Sequence, residues 1–356
     1  MQFFRDFIRR VLPNSQAVAL ALILIVGSIL IFSLSDILMP VFASIVLAYL
    51  LQGIVCKVEK RLPRLAAVHI VFSGFMACLG AFLFILMPMV SSQAVQLVQK
   101  IPEMIKKAQS EIMRLPELHP QFVTENNIRD IMFSIQEELL KYGHELISNS
   151  ASSVLGIVTA IVYLFLVPLM VFFFLKDKSN LIDWFVQFLP RDRSLTIRVW
   201  KEVDIQIANY VRGKFAEVMI LASCSYVVYT ALGLNYAMLL SVLMGLSVVI
   251  PYVGATLVTF PVLGVAVMQW GFTADEFMYV AIAYSIIQAI DGVVLVPLLF
   301  SEAVNLHPVA IIVAILFFGG MWGFWGVFFA IPLATAVKAI LNAWPTLGET
   351  SIDSSF

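Results

Sequence analysis

Asp291 stands fifteen residues into the apolar run 277–299, in YSIIQAIDGVVLVP, with Gln288 one helical turn before it and Gly292 directly after it. A charged side chain at the centre of a bilayer costs at least ~2.5–3.5 kcal/mol, so an acid at that depth is a functional-site candidate by default. A proton or Na⁺ would neutralise it and so couple a gradient to movement. The plainer alternative is an acid that hydrogen-bonds between packed helices. Glu302 and Asn305 follow in SEAVNLHP, between Pro297 and Pro308, where a helix ends near a membrane–water boundary. There they would serve as a gate or cation contact, or as a solvated turn. Tyr210, Arg212 and Lys214 in NYVRGK lead into another apolar run and suit lipid headgroups or a cytoplasmic gate. His307 has no second ligand at useful spacing, so no metal site is expected, nor any cofactor beyond coupling H⁺ or Na⁺.

The elements that position these groups must lie in a membrane. Of 356 residues 61% are hydrophobic and 13% charged, whereas soluble domains carry about 25% charged residues. A soluble enzyme is excluded first, and GxxxxGK[ST], GxSxG and HExxH are all absent from the sequence. No catalytic residue is therefore assigned. A net charge of −1 gives no basic excess for nucleic acid. Cys56, Cys78 and Cys224 lie far apart, without metal or disulfide spacing, and read as packing residues.

Apolar runs of about 20 residues cross the ~30 Å hydrocarbon core as helices. Such runs occupy 16–34, 37–55, 67–90, 154–175, 215–234, 238–269, 277–299 and 308–340, about eight membrane-embedded segments in an all-α chain. The first lacks a small-x-small cleavage site and is expected to remain in the mature protein. Arg5, Arg9 and Arg10 precede the first span, and Lys57, Lys60, Arg61 and Arg64 follow the second. The N-terminus is therefore expected in the cytoplasm. The organisation expected is spans 1–90 as scaffold, an extracytoplasmic amphipathic segment 91–153, span 154–175, a cytoplasmic helical loop 176–214, a transport unit 215–340 and a cytoplasmic tail 341–356. The apolar spacing in 101–115, 128–146 and 182–211 is helical.

The runs 238–269 and 308–340 hold 32 and 33 residues, roughly 48–50 Å as straight helices. Each has breakers near its middle: Pro251, Tyr252 and Gly254 in IPYVG, and Gly319, Gly320, Gly323 and Gly326 in FFGGMWGFWG. Proline removes a backbone donor and glycine permits turns that other residues resist. A pair of re-entrant hairpins is expected, against the alternative of long kinked helices or close packing through Gly319-xxx-Gly323. Broken helices at membrane depth line sites in transporters.

Across nearly its whole length the chain resembles the autoinducer-2 exporter family of bacterial membrane proteins, and within it the PerM-type permeases. The residues that carry the resemblance are PLMVFFFLKDK (168–178), NYVRGK (209–214), IPYVG (250–254), QAIDGVVLVP (288–297), SEAVNLHP (301–308) and FFGGMWGFWGVFFAIPLA (317–334). The resemblance implies export or exchange of a small solute, an autoinducer-2-like molecule or Na⁺ for H⁺, by a homo-oligomer, as a pentamer, in the bacterial inner membrane. Ala255 and the QAIDG segment depart from the autoinducer branches. A passive channel and a non-transporting membrane scaffold are the alternatives.

Overall fold

A computed structural model of the chain describes residues 26–29, 33–112, 154–187, 194–251, 253–300 and 306–343. Among them every regular element is helical. In chain order these are α1 (Ser35–Glu59), α2 (Arg64–Ala81), a π-helical turn (Phe82–Leu86), α3 (Met87–Ile112), α4 (Val154–Lys176), α5 (Lys178–Val186) and α6 (Ser194–Ala231). They continue with α7 (Ala237–Ser247), α8 (Val253–Trp270), α9 (Asp275–Ile290), a second π-helical turn (Asp291–Leu295), α10 (Val296–Phe300), α11 (Pro308–Phe328) and α12 (Ala330–Ala343). The expected segment 16–34 lies largely outside the described residues, as do 128–146, the tail beyond 343, and Tyr252, Glu302 and Asn305.

Among the described residues six helical stretches are long and apolar enough to cross a membrane: 37–59, 64–103, 158–176, 253–270, 275–300 and 308–328. Phe84, Phe165 and Phe260 are all more than 70% exposed. Large apolar side chains presented outward on so many helices are what a lipid-facing surface needs. The protein is thus a multi-pass membrane protein whose described elements are all helical. The third span does not stop near residue 90 but runs without a break into the amphipathic α3, Pro102 included.

The chain forms two compact units. One comprises Met1–Ser73, Phe165–Phe215 and Leu298–Phe356, and the other Gly74–Leu164 and Ala216–Pro297. Compactness thus groups the C-terminal helices α11 and α12 with the first spans. In the first unit Val55, Ala67, Val68, Val171 and Leu175 form a tight core. The fully buried Ser44 hydroxyl donates to the Pro40 carbonyl at 2.6 Å and reaches the Val167 carbonyl at 3.3 Å. It thereby ties α1 to α4 where an apolar solvent gives helices little reason to associate. In the second unit Leu240, Met244, Val262, Ala266 and Val280 are buried where α7, α8 and α9 meet.

Both long runs are broken where the sequence places its breakers. Residues 248–252 separate α7 from α8, and the two helices pack antiparallel. Their far ends are tied by Gln269, whose side-chain oxygen accepts the Asn235 N–H and whose amide donates to the Gly233 carbonyl, both at 2.9 Å. At the turn a Cβ on Gly254 would lie deep inside the Ser247 carbonyl. Backbone donors there are used locally, Ile250 N–H on Ser247 and Gly254 N–H on Ile250. In α11 the helix is interrupted at Trp322 (φ −126, ψ 15) and Gly323 (φ 57, ψ −133). Only glycine holds that second conformation cheaply. Beyond the interruption Gly326 sits against the Phe318 carbonyl, again with no room for a Cβ.

The three cysteines are exposed rather than packed inside. Cys56 Sγ accepts a hydrogen bond from the Gln52 amide at 3.3 Å, and a thiol behaves as a small apolar group that exposure to lipid does not penalise.

Candidate functional site

α9 carries a polar stripe through otherwise apolar sequence. Tyr284, Gln288 and Asp291 recur at spacings of four and three, which places them on one face. Tyr284 is 6% and Asp291 8% exposed. The Gln288 amide donates to Tyr284 Oη at 3.0 Å and to Met244 Sδ of α7 at 3.7 Å. Tyr284 in turn donates its hydroxyl to the Ala255 carbonyl at 2.6 Å. Thr259 Oγ1 closes the triangle, 2.8 Å from Tyr284 Oη and 3.0 Å from the same carbonyl. The first turn of α8, immediately after the break at Pro251, is therefore locked to α9 by hydrogen bonds that have little competition in an apolar medium.

Asp291 opens the π-helical turn Asp291–Leu295. Its own N–H is shared between the Gln288 and Ile287 carbonyls, and its carbonyl accepts from Val296 N–H. A π turn inserts one residue and rotates the following face by about 100°. Such insertions are found disproportionately at functional sites. The carboxylate is buried in the same unit as the α7–α8 break.

Tyr284 and Thr259 were not singled out by sequence reasoning, and Ala255 stood out only as a departure from the autoinducer branches. The spacing 284, 288, 291 was the available signal for Tyr284. Thr259 gives no signal, because a serine or threonine in an apolar helix ordinarily bonds its own backbone, and Ala255 takes part through its backbone carbonyl, which any residue carries.

Tyr210, Arg212, Lys214 and the candidates from Pro308 onward lie in the first unit. Tyr210 and Lys214, one turn apart on α6, are 1% and 5% exposed. The Lys214 ammonium stands 4.9 Å from the Phe300 ring centroid and 5.9 Å from that of Tyr210, within cation–π range. Tyr210 also packs against Phe300 and Phe328 at 5.7 and 5.9 Å. Gly213 permits this, since a Cβ there would stand 2.9 Å from the Phe300 ring. Arg212 is exposed, bonded to the Ala208 carbonyl and Asn209 Oδ1, and its stem covers Gly53. The three NYVRGK residues thus do two different things: one cation is caged and the other faces outward. Nearby Tyr49 of α1 donates to Asp204 of α6 at 2.5 Å, a pairing the sequence did not announce.

Pro297 lies in α10, immediately after the π turn, and Pro308 is the first residue of α11. There His307 caps the helix, its Nδ1 accepting from Val309 N–H at 3.3 Å. Proline at the first helical position costs nothing because that N–H would lack an intrahelical partner in any case. Gly319 faces Val327, and Gly320 is in open space. Among the described residues no three His, Cys, Asp or Glu side chains converge as metal ligands.

Comparison with known proteins shows the family. The pattern of the AI-2E family transporter matches residues 18–346. The chain is 42% identical to Putative permease PerM of Escherichia coli (strain K12), with 97% of this chain and 98% of that protein covered. It is 27% identical to Putative transport protein YueF of Bacillus subtilis (strain 168), over 86% of this chain and 84% of YueF. It is 22% identical to AI-2 transport protein TqsA of Escherichia coli (strain K12), over 89% and 88%. Matched by the family's pattern over residues 18–346 and 42% identical to a relative over 97% of its length, the chain belongs to the AI-2E transporter family.

Proposed function

We propose that the protein is a secondary permease of the bacterial inner membrane that exports or exchanges a small solute, an autoinducer-2-like molecule or Na⁺ for H⁺. The observation that carries this reading is the Tyr284–Gln288–Asp291 stripe bonded to the first turn after the Pro251 break. Asp291 is the coupling or solute-contacting acid, and Gln288 holds the neighbouring turn. Residues 1–90 act as scaffold and 215–340 carry the transport machinery. Glu302 and Asn305 are gate residues, and the caged Lys214 with Tyr210 and the outward Arg212 serve the cytoplasmic end. Assembly as a homo-oligomer, a pentamer by family likeness, would cover part of the exposed apolar surface.

Reconstitution tests it. Purified protein in proteoliposomes is expected to move solute, or Na⁺ against H⁺, at a rate set by an imposed gradient. Flux that ignores the gradient makes the protein a channel, and no flux for any solute makes it a scaffold. An untargeted comparison of solutes retained by cells with and without the protein selects the solutes to load.

The hairpins enter the membrane without crossing it in this reading. α7 has 11 residues, a rise of only ~16 Å. α8 is long enough to cross, and in this reading it instead runs back beside α7, with the far ends tied by Gln269. The straight part of α11, 308–321, rises ~21 Å before Trp322 and Gly323 interrupt it. The turn at Asp275 and Glu276 is then extracytoplasmic and both termini are cytoplasmic. Asp275→Cys, in a background with Cys56, Cys78 and Cys224 replaced by Ser, is expected to react with a membrane-impermeant maleimide added outside intact cells. Protection from outside, with reaction after the cells are opened, would remove the hairpin topology.

A further inference from the structure

At the end of the second unit opposite the Pro251 turn lies a cavity of about 190 Å³. Lys100 and Glu103 of α3 form one wall, Asn235 and Tyr236 of the α6–α7 loop another, and Val265 and Met268 of α8 supply its apolar side. The rim is held from several directions. Gln269, also at the cavity, spends its carboxamide on Asn235 N–H and the Gly233 carbonyl. The side chain of Gln93 on α3 accepts Leu239 N–H at 2.9 Å, and the Tyr236 carbonyl accepts Leu240 N–H at 2.9 Å. Within this frame Tyr236 adopts φ 58, ψ 27, the one positive φ among the described non-glycine residues. A bulky aromatic in the left-handed region costs roughly 1–2 kcal/mol. It persists only where its surroundings over-determine it, and such residues gather at ligand clamps.

The wall chemistry selects a ligand class. A simple anion meets Glu103 and a simple cation meets Lys100, each with repulsion. A dipolar molecule meets both with attraction. Lys100 and Glu103 are three residues apart on one exposed helix face. A zwitterion can make a charge-assisted contact with each. The volume admits a single small molecule, and Val265 with Met268 favours a short hydrocarbon body beside the charges.

We propose that this cavity binds a small zwitterion of the α-amino-acid type with a short apolar side chain. As the solute class of a permease the idea rests on the transporter reading above; as a binding site it stands by itself. Binding measured without any gradient separates the two.

The test uses the full chain in nanodiscs and three matched probes: leucine, its amide, which keeps only the cation, and 4-methylpentanoate, which keeps only the anion. Calorimetry is expected to give saturable binding of leucine, with the other two at least about tenfold weaker, the effect of losing one charge-assisted contact. Lys100→Gln is expected to narrow the gap between leucine and leucinamide, and Glu103→Gln the gap between leucine and 4-methylpentanoate. The ratio of probes is the readout, so a variant with less folded protein still reports. Equal binding of all three probes, no saturable binding of leucine, or unaltered ratios in both variants would overturn the assignment.

Discussion

Gly254→Ala is expected to lower the stability of the purified protein by about 3 kcal/mol, the upper range for forcing atoms into a packed interior. The added Cβ would collide with the carbonyl carbon and oxygen of Ser247. These are backbone atoms and cannot rotate aside as a side-chain tip can. The collision sits at the turn that joins α7 to α8, so relief requires separating two helices held at their other end by Gln269. Gly264, ten residues on in the same helix, supplies the control. It has nothing within 4 Å, and Gly264→Ala is expected to be neutral or to stabilise by about 0.5–1 kcal/mol through lower backbone entropy in the unfolded chain. Thermal denaturation in detergent reads both. Matching midpoints for the two variants would show that contact at the turn does not hold the hairpin together. Gly326 faces the Phe318 carbonyl in the same manner, and the argument extends to it.

Asp291→Asn is expected to reduce gradient-coupled flux by roughly a hundredfold while expression and thermal midpoint stay close to those of the parent. The side chains are nearly isosteric, so the buried site and its π turn are retained. The difference lies in the charge. Some ~2.5–3.5 kcal/mol separates charged from neutral forms at that depth, which is about two orders of magnitude in an equilibrium. A transporter uses this separation to bias one state over another as proton or Na⁺ binds, and an amide cannot. The measurement is initial flux in proteoliposomes with and without an imposed pH or Na⁺ gradient. Coupled flux at the parent rate would move the coupling role away from Asp291. A lowered thermal midpoint with coupling intact in the remaining protein would make the acid a packing group.

The two variants probe different properties of one place. Gly254 gives the broken helix its close turn, and Tyr284 with Thr259 fastens the turn that follows to the helix bearing Asp291. A carboxyl group on an isolated apolar helix would respond to ions but move nothing. Fastened through hydrogen bonds to a helix pair with its own break, it has an element whose position can follow its charge.

The sequence by itself determined that the protein lives in a membrane and where its helices break, and it singled out Asp291 as an acid deep in an apolar run. Each follows from one-dimensional physics. Charge scarcity is a composition, helix length is residues multiplied by rise, and the cost of burying a carboxylate depends on depth along an apolar run. The positions of the breaks at 248–252 and 322–323 were legible for the same reason, since proline and glycine act on their own backbone. Which glycine needs its missing side chain was not legible. Gly254 and Gly326 meet carbonyls of the opposing limb whereas Gly320 meets nothing, and that depends on how closely two limbs pack.

Only the tertiary structure decided the contacts between segments. The Tyr284–Ala255 bond joins residues 29 apart, the caging of Lys214 by Phe300 joins residues far along the chain, and the cavity draws on α3, the α6–α7 loop and α8 together. Apolar helices in lipid can rotate and cross in many ways at similar cost. The sequence therefore supplies the polar groups, and the packing of one helix on the next decides which of them meet.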